Sequence, residues 1–379
     1  MKKQLFRRLA ALTVSLLTLW TAILSHEHST VSANGTAFLP TIFASILRWE
    51  LGDYFGNDLL TVANVLALRQ SPLLLCRRSS IISMLSQSAD IPESILPPVF
   101  STDDPSQPVT KPYMISFDDL TFADNGVPAQ TTAPTTTSGY TVIDGVYVKN
   151  TSSRQLNAEE LTQTAYTAPL SQDGPQVLIL HSHATEAYTM PPGQEYEPSG
   201  TYRTRDTSCN VVRIGDEVAA VLSSYGLSVV HDRTLHDAAS YNDAYDSSYA
   251  SIQEYLTKYP SITYVLDIHR DAIQDASGNQ YKLVTREDPR IAQCCLVMGL
   301  AHDTWQENLY LAIAVQQQLS TTLSTLMRPV VARGYRYNQH LCAGALLVEV
   351  GAAGNSLDEA IIGARHFAQG FAETVLAGK

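Results

Sequence analysis

Basic residues are scarce in this chain, and cysteines scarcer. Of 379 residues, 25 are Lys or Arg against 37 Asp or Glu, for a formal net charge of -12. Nucleic-acid binding proteins carry the opposite footprint, so that class is disfavoured. Charged residues make up only 16% of the chain and hydrophobic ones 45%. That is ample for a core, so neither a disulfide scaffold nor a wholly disordered chain is required. The five cysteines (Cys76, Cys209, Cys294, Cys295 and Cys342) include no CxxC pair and no zinc-ribbon spacing. Cys294-Cys295 lies in the apolar run IAQCCLVMGL and reads as strand packing. No GxSxG elbow, P-loop or GxGxxG stands where it would be needed, which leaves serine-hydrolase, NTPase and dinucleotide readings without support. No internal repeat is visible.

What charge there is falls unevenly. Residues 1–26 carry Lys2, Lys3, Arg7 and Arg8 and no acid, so 21 basic residues face 37 acidic ones, or -16, after them. From Leu9 to His26 no residue is formally charged. A basic leader ahead of such an apolar stretch has the pattern of a signal peptide or a short membrane anchor. Positive charge stays cytoplasmic, which places the rest of the chain outside. Residues 1–28 are therefore expected to be leader and anchor. Apolar residues recur at helical spacing over 40–75, so 29–91 reads as a helical juxtamembrane region. Residues 92–169, with PESILPPVF and GVPAQTTAPTTTSGY, read as a Pro/Thr-rich flexible linker.

Residues 170–379 alternate strand and helix signals. VLIL (177–180), LSVVHD (227–232), ITYVLDIH (262–269), LVMGL (296–300) and ALLVEVG (345–351) read as strands. Amphipathic helices are expected over Asn210–Tyr225, around Tyr245–Tyr259, over Trp305–Thr325 and over Leu357–Val375. The fold class is α/β, a mostly parallel twisted sheet flanked by helices. In such folds ligands sit beyond the carboxyl ends of the strands.

Chemistry-bearing residues collect at those ends. The first strand runs into His181-Ser182-His183-Ala184-Thr185-Glu186, the third into His269-Arg270-Asp271, and the last delivers Glu349. His183-x-x-Glu186 with a distant His269 offers two imidazoles and a carboxylate, the donor supply of a catalytic zinc. The order is that of carboxypeptidase-type sites and not of an HExxH helix. Glu349 is an isolated acid in an apolar strand, where burial raises its pKa toward a base's working range. Arg270 is placed to hold a substrate carboxylate or to polarise a scissile carbonyl. Bland readings stand beside these: strand-end histidines as hydrogen-bonded structural residues, and Glu349 as a pair for Arg333 or Arg336. His231, His236 and His302 are taken as supporting or structural residues.

The segments VLILHSHATEAY, NVVRIGDEVAAVLSSYGLSVVHDRTLHD, YVLDIHRDA, HDTWQENL and ALLVEVGAAGNSLDEA closely resemble the stage II sporulation protein P family. The resemblance runs from roughly Pro175 to Leu376. It implies a zinc-dependent cell-wall amidase, N-acetylmuramoyl-L-alanine amidase, with endopeptidase activity as well, and a fold similar to the amidase-3 hydrolases. It further implies action on peptidoglycan during engulfment, beside stage II sporulation proteins D (a lytic transglycosylase) and M (a membrane protein). On this resemblance His183 matches the first zinc ligand, His269 the second imidazole and Glu349 the catalytic glutamate. The carboxylate ligand is Glu186 by the HxxE spacing, or Asp206 by the amidase-3 pattern. Arg270 or His181 supports the oxyanion. Ala184 and Ala187 replace polar residues of the family pattern, and neither is a needed ligand. Two other readings remain: a zinc carboxypeptidase trimming stem peptides, and a non-catalytic wall-binding assembly protein.

Overall fold

The computed structural model describes residues 99–101, 108–109 and 114–377, save 163–167, 169, 172 and 199. The expected anchor (1–28) and helical region (29–91) lie outside the described residues, as does part of the expected linker. Among the described residues no helix is long and apolar enough to cross a membrane. All of them fall within one compact unit, Glu93–Lys379.

In chain order the strands are β1 (Val99–Ser101), β2 (Pro108–Val109), β3 (Ala129–Gln130), β4 (Thr141–Ile143), β5 (Val146–Asn150) and β6 (Val177–Leu180). They continue as β7 (Val229–His231), β8 (Tyr264–Asp271), β9 (Lys282–Leu283), β10 (Cys294–Gly299), β11 (Val330–Arg333) and β12 (Gly344–Ala352). The α-helices are α1 (Ala158–Thr162), α2 (Val211–Ser224), α3 (Ala244–Lys258), α4 (Trp305–Ser320) and α5 (Leu357–Ala377). One sheet runs β2-β1-β7-β6-β8-β12-β10-β11-β5-β4, and β3 pairs with β9 separately. The central run β7-β6-β8-β12 is parallel. β10 then lies antiparallel to β12 and parallel to β11. The sheet is thus mostly parallel with an antiparallel seam, an α/β architecture with helices on both faces.

Residues 141–150, which composition assigns to the linker, build β4 and β5. Asp144 and Gly145 sit at φ 48° and 80°, with Ile143 paired to Val146 across them. This is the two-residue turn whose twist matches that of the flanking strands. Ile143, Val146 and Val148 point into the core, and β5 extends the sheet by pairing with β11.

The period of two along each strand divides the side chains between two unequal layers. Val177 and Ile179, Leu266 and Ile268, and Leu346, Val348 and Val350 pack against α2, α4 and α5 in the main core. Their alternates Leu178, Leu180, Val230, Val265 and Ala345 form a smaller cluster with Ile252 of α3 and its neighbours. Among the described residues, three long helices therefore cover one face, while α3 is the one long helix on the other. Asp267, His269 and Glu349 belong by parity to the lightly covered face.

α2 starts where Asn210 accepts a hydrogen bond from the Val212 amide (2.9 Å), a side-chain N-cap. It ends at Ser224, and Gly226 beyond its cap takes φ 84°, which suits a residue without Cβ. α4 stops at Ser320, short of the expected Thr325. Thr321 caps it and Thr322 follows, with both hydroxyls bonded back to carbonyls of the last turn.

Candidate metal centre

The loop after β6 returns against the start of α2: the Ala187 amide donates to Tyr202 O (3.0 Å) and the Val211 amide to Glu186 O (2.9 Å). This folds Glu186 back over the end of β8. One donor atom each from His183, Glu186 and His269 then lies within 4.8 Å of the others. Glu186 stands 3.6 Å from His183 Nδ1 through Oε1 and 3.3 Å from His269 Nδ1 through Oε2. Burial alone would raise the Glu186 carboxyl. The two imidazoles and Arg270 outweigh it and hold the group well below the ordinary carboxylate range. Asp206, the alternative carboxylate, is not in this group. It is exposed at the surface and accepts hydrogen bonds from the Ser208 amide (2.9 Å) and hydroxyl (2.7 Å).

Behind the trio stands a residue that spacing does not single out. Asp267 lies two residues before His269 on the same face, with Oδ1 2.9 Å from His269 Nε2, off the line of an ideal hydrogen bond. Its oxygens are fixed by the Ser182 amide (2.8 Å) and hydroxyl (2.7 Å). Nδ1 of His269 is thereby turned toward Glu186 and His183. Desolvation disfavours the charged imidazole, yet Asp267 and Glu186 together raise His269 well above its usual value. A divalent cation would replace that proton. Two imidazoles, an anionic carboxylate and a carboxylate behind one ring fit a metal ion of the zinc class.

Glu349 is the neighbour of His269 in the parallel β8–β12 register. Its Oε2 is sealed from solvent and has no hydrogen-bond partner. Burial first, and the nearby charges of Asp271 and Glu186, push its carboxyl up to about 8, against lowering by His269 and Arg328. It pairs with neither Arg333 nor Arg336 among the described residues. An unpartnered acid of that kind beside a ligand cluster suits proton transfer.

Arg270 and His181 are turned elsewhere. Arg270 donates from Nε to Ala187 O (3.1 Å) and from Nη2 to Tyr202 O (2.8 Å), with Nη1 3.6 Å from Glu186. Its amide also donates to Glu186 Oε2 (3.1 Å). It clamps the ligand loop. His181 shares the parity of Val177 and Ile179 and lies fully buried under α2. Its Nδ1 bonds Ile268 O (2.9 Å), which can only accept, so Nδ1 carries the hydrogen. Its Nε2 faces His231 Nε2 at 2.8 Å. Burial, with the adjacent His231, lowers its pKa to about 3. His231 continues the chain to Asp216 (3.2 Å), His236 pairs with Asp232 (3.2 Å), and His302 with Thr304 (3.2 Å).

Aromatic rings wall the centre on the α3 side. Tyr241 stacks on His183 at 4.5 Å between centroids, and Tyr245 meets it edge-on at 5.3 Å. The Arg203 guanidinium lies over Tyr241 (4.7 Å) and reaches Glu186 (3.4 Å) and Asp237 (2.7 Å).

Fold and donor set define the class: an α/β protein with a candidate metal centre at the carboxyl ends of parallel strands. The profile of the stage II sporulation protein P family matches residues 130–372, and the chain belongs to that family. It is 26% identical over 194 residues to stage II sporulation protein P of Bacillus subtilis (strain 168), covering 48% of this chain and 47% of that one. The chain thus spans about half the length of this curated relative. Among solved structures it is similar to the CwlD amidase from Clostridioides difficile in complex with the GerS lipoprotein (13% identity, TM-score 0.36, 54% of this chain and 98% of that one). It is also similar to an N-acetylmuramoyl-L-alanine amidase from Clostridium difficile 630 (19%, 0.34, 54% and 97%). A third is AmiC2 of Nostoc punctiforme (14%, 0.33, 54% and 97%).

Proposed function

We propose that the chain is a zinc-dependent peptidoglycan hydrolase, an N-acetylmuramoyl-L-alanine amidase acting in engulfment during endospore formation. One observation carries the reading: His183, Glu186 and His269 place three donor atoms within 4.8 Å of one another, beside the unpartnered carboxyl of Glu349. Membership of a sporulation family supplies the setting. The reading includes a single-pass anchor with the site outside the membrane, and sporulation proteins D and M as partners.

His183, Glu186 and His269 would hold the ion. Bound there, zinc would supply Lewis acidity and a water of lowered pKa. Glu349 takes the proton of the attacking water and returns it to the leaving amine. Burial raises its affinity for a proton above that of an ordinary carboxylate, in the direction a general base needs. Asp267 fixes the His269 ring, and Arg270 fixes Glu186. These two, with His181 beneath the loop, are positioning residues.

The test is metal content of the purified chain together with mass spectrometry of digested peptidoglycan. The expected result is one zinc per chain and new free amino termini on alanine. Full digestion by the Glu349→Gln protein, or after exhaustive chelation, would overturn the reading. Release of terminal stem residues instead would point to a carboxypeptidase.

A further inference from the structure

The face that carries Glu349 extends across the antiparallel seam. Cys295 of β10 stands opposite Glu349, and residues directly opposite in an antiparallel pair share a face. Two and four residues on, Val297 registers with Val331 and Gly299 with Arg333. Val331 registers in turn with Lys149 of β5. Glu349, Arg333 and Lys149 therefore lie on one face, the one that carries a single long helix among the described residues. Strands about 4.8 Å apart and a rise of about 3.3 Å per residue put the Cα atoms of both Arg333 and Lys149 about 16 Å from that of Glu349.

Several arginines of the chain are committed to carboxylates. Arg203 is paired with Asp237, Arg328 with Asp271 and Arg365 with Glu217. Arg333 and Lys149 are exposed and form no ion pair among the described residues. In a chain with 12 more acidic than basic residues, these two cations lie on the face of the candidate base with no carboxylate paired to them among the described residues.

A built loop stands between them and the centre. Gly299 lets it approach: a Cβ there would lie 2.5 Å from Tyr335 O and 2.8 Å from Arg336 O. Tyr337 and Asn338 are both left-handed, at φ 49° and 57°, a conformation that costs non-glycine residues energy and gathers at ligand clamps. Asn338 Nδ2 secures it by donating to Tyr245 O (2.8 Å) and Ser248 Oγ (3.1 Å). The Tyr337 ring is thereby set 5.7 Å from Tyr245 and 5.8 Å from exposed Tyr335. Its phenol is raised mainly by burial, against lowering by the charge of Arg333, with Tyr335 and Glu349 adding to the rise.

We propose that Arg333 and Lys149 form a carboxylate-binding subsite for the stem peptide, walled by Tyr337, on the peptide side of the scissile amide. An extended peptide advances about 3.4 Å per residue. With the reach of the Arg333 side chain, the subsite meets a carboxylate two to four residues beyond the cleaved bond. The proposal rests on the hydrolase reading above. It adds that the peptide must be anionic there.

The test uses the full chain loaded with zinc and two soluble muramoyl peptides, one with free stem carboxylates and one with them amidated. Arg333→Gln with Lys149→Gln is expected to raise KM for the free acid about tenfold and to leave KM for the amidated peptide in place. Arg333→Lys should recover most of the loss, and Lys258→Gln, at the far end of α3, controls for net charge. Cleavage of both peptides with equal KM, unmoved by the double substitution, would overturn the subsite. Failure of the zinc-loaded wild type to cleave either peptide would instead sink the hydrolase reading. Calorimetric binding of the same peptides to the Glu349→Gln protein then judges the subsite alone: preference for the free acid supports it, and equal affinity overturns it.

Discussion

Asp267 stands behind the donor trio and outside it, yet it decides which nitrogen of His269 faces Glu186. With its carboxylate 2.9 Å from Nε2 and its own oxygens fixed by Ser182, Asp267 favours the ring orientation that presents Nδ1 to the centre. Asp267→Asn keeps the shape and removes the charge that favours that orientation. Zinc affinity is expected to fall about 10- to 100-fold, read by competition with a chromophoric chelator. Unchanged affinity would remove Asp267 from the role. Glu349→Gln should do the reverse, holding zinc at full occupancy while wall digestion drops by a factor of about 10² to 10⁴. The parity that joins these residues was available in the sequence. Along ITYVLDIH, Asp267 and His269 are two apart and share a face. By the same period His181 falls with Val177 and Ile179 on the side of α2, whereas His183 lies beyond the strand, where the loop is free to turn it. By that alternation the expected His181 lies under α2, bonded to Ile268 O and His231. Nothing in the spacing reveals that Arg270 is spent on the carbonyls of Ala187 and Tyr202, because both partners come from a loop whose return path the sequence does not dictate.

At the scale of the element, α2 is held to the sheet by a missing side chain. Gly215 sits over the paired imidazoles, and a Cβ there would lie 2.5 Å from His231 Nε2 and 2.7 Å from His181 Nε2. Alanine in a helix interior ordinarily gains about 1 kcal/mol over glycine. Here the methyl meets two rings already bonded to each other, to Ile268 O and to Asp216. Gly215→Ala is expected to destabilise the chain by about 1–3 kcal/mol in urea unfolding. The cost should shrink in a His231→Ala background, where the ring is gone. Equal costs in both backgrounds would sink the argument. α2 and α5 follow the 3.6 period and are legible from it, as are β6, β8 and β12 from their apolar runs. The β4–β5 hairpin is different. Its signal, Asp144-Gly145 between Val142, Ile143, Val146 and Val148, is present, but it lies at the edge of a long Pro/Thr-rich stretch whose composition outweighs it over a wider window.

At the largest scale, the informative fact is the uneven cover of the sheet among the described residues, which no local pattern carries. Strand alternation says that Glu349 and His269 point away from Val348 and Ile268. It does not say that, among the described residues, three long helices lie on one side and one on the other, since that depends on strand order and on the turn-over at β10–β12. The same buried polar chain that anchors α2 also links the fold to pH. Burial alone would raise Asp216, but its hydrogen bond and charge interaction with His231, and then Arg233, bring its carboxyl from an ordinary 3.8 to about 2. Asp232 is likewise held below its ordinary value, by His236, Ser251 and Thr234 against the opposing effect of burial. A carboxyl depressed in the folded state contributes stability above its unfolded pKa, and that contribution is lost as pH falls through the folded one. For Asp216 the interval runs from about 3.8 down to about 2, and the contribution is about 2 kcal/mol at 1.36 kcal/mol per tenfold. Asp216→Asn should therefore be less stable than wild type by about that amount at pH 5 to 7. The gap should close progressively as the pH is lowered from 4 to 2, followed by urea midpoints at each pH. A gap that stays constant down to pH 2 would mean that Asp216 acts through packing or hydrogen bonding alone, and that the charge on this chain does not set the acid limit of the fold.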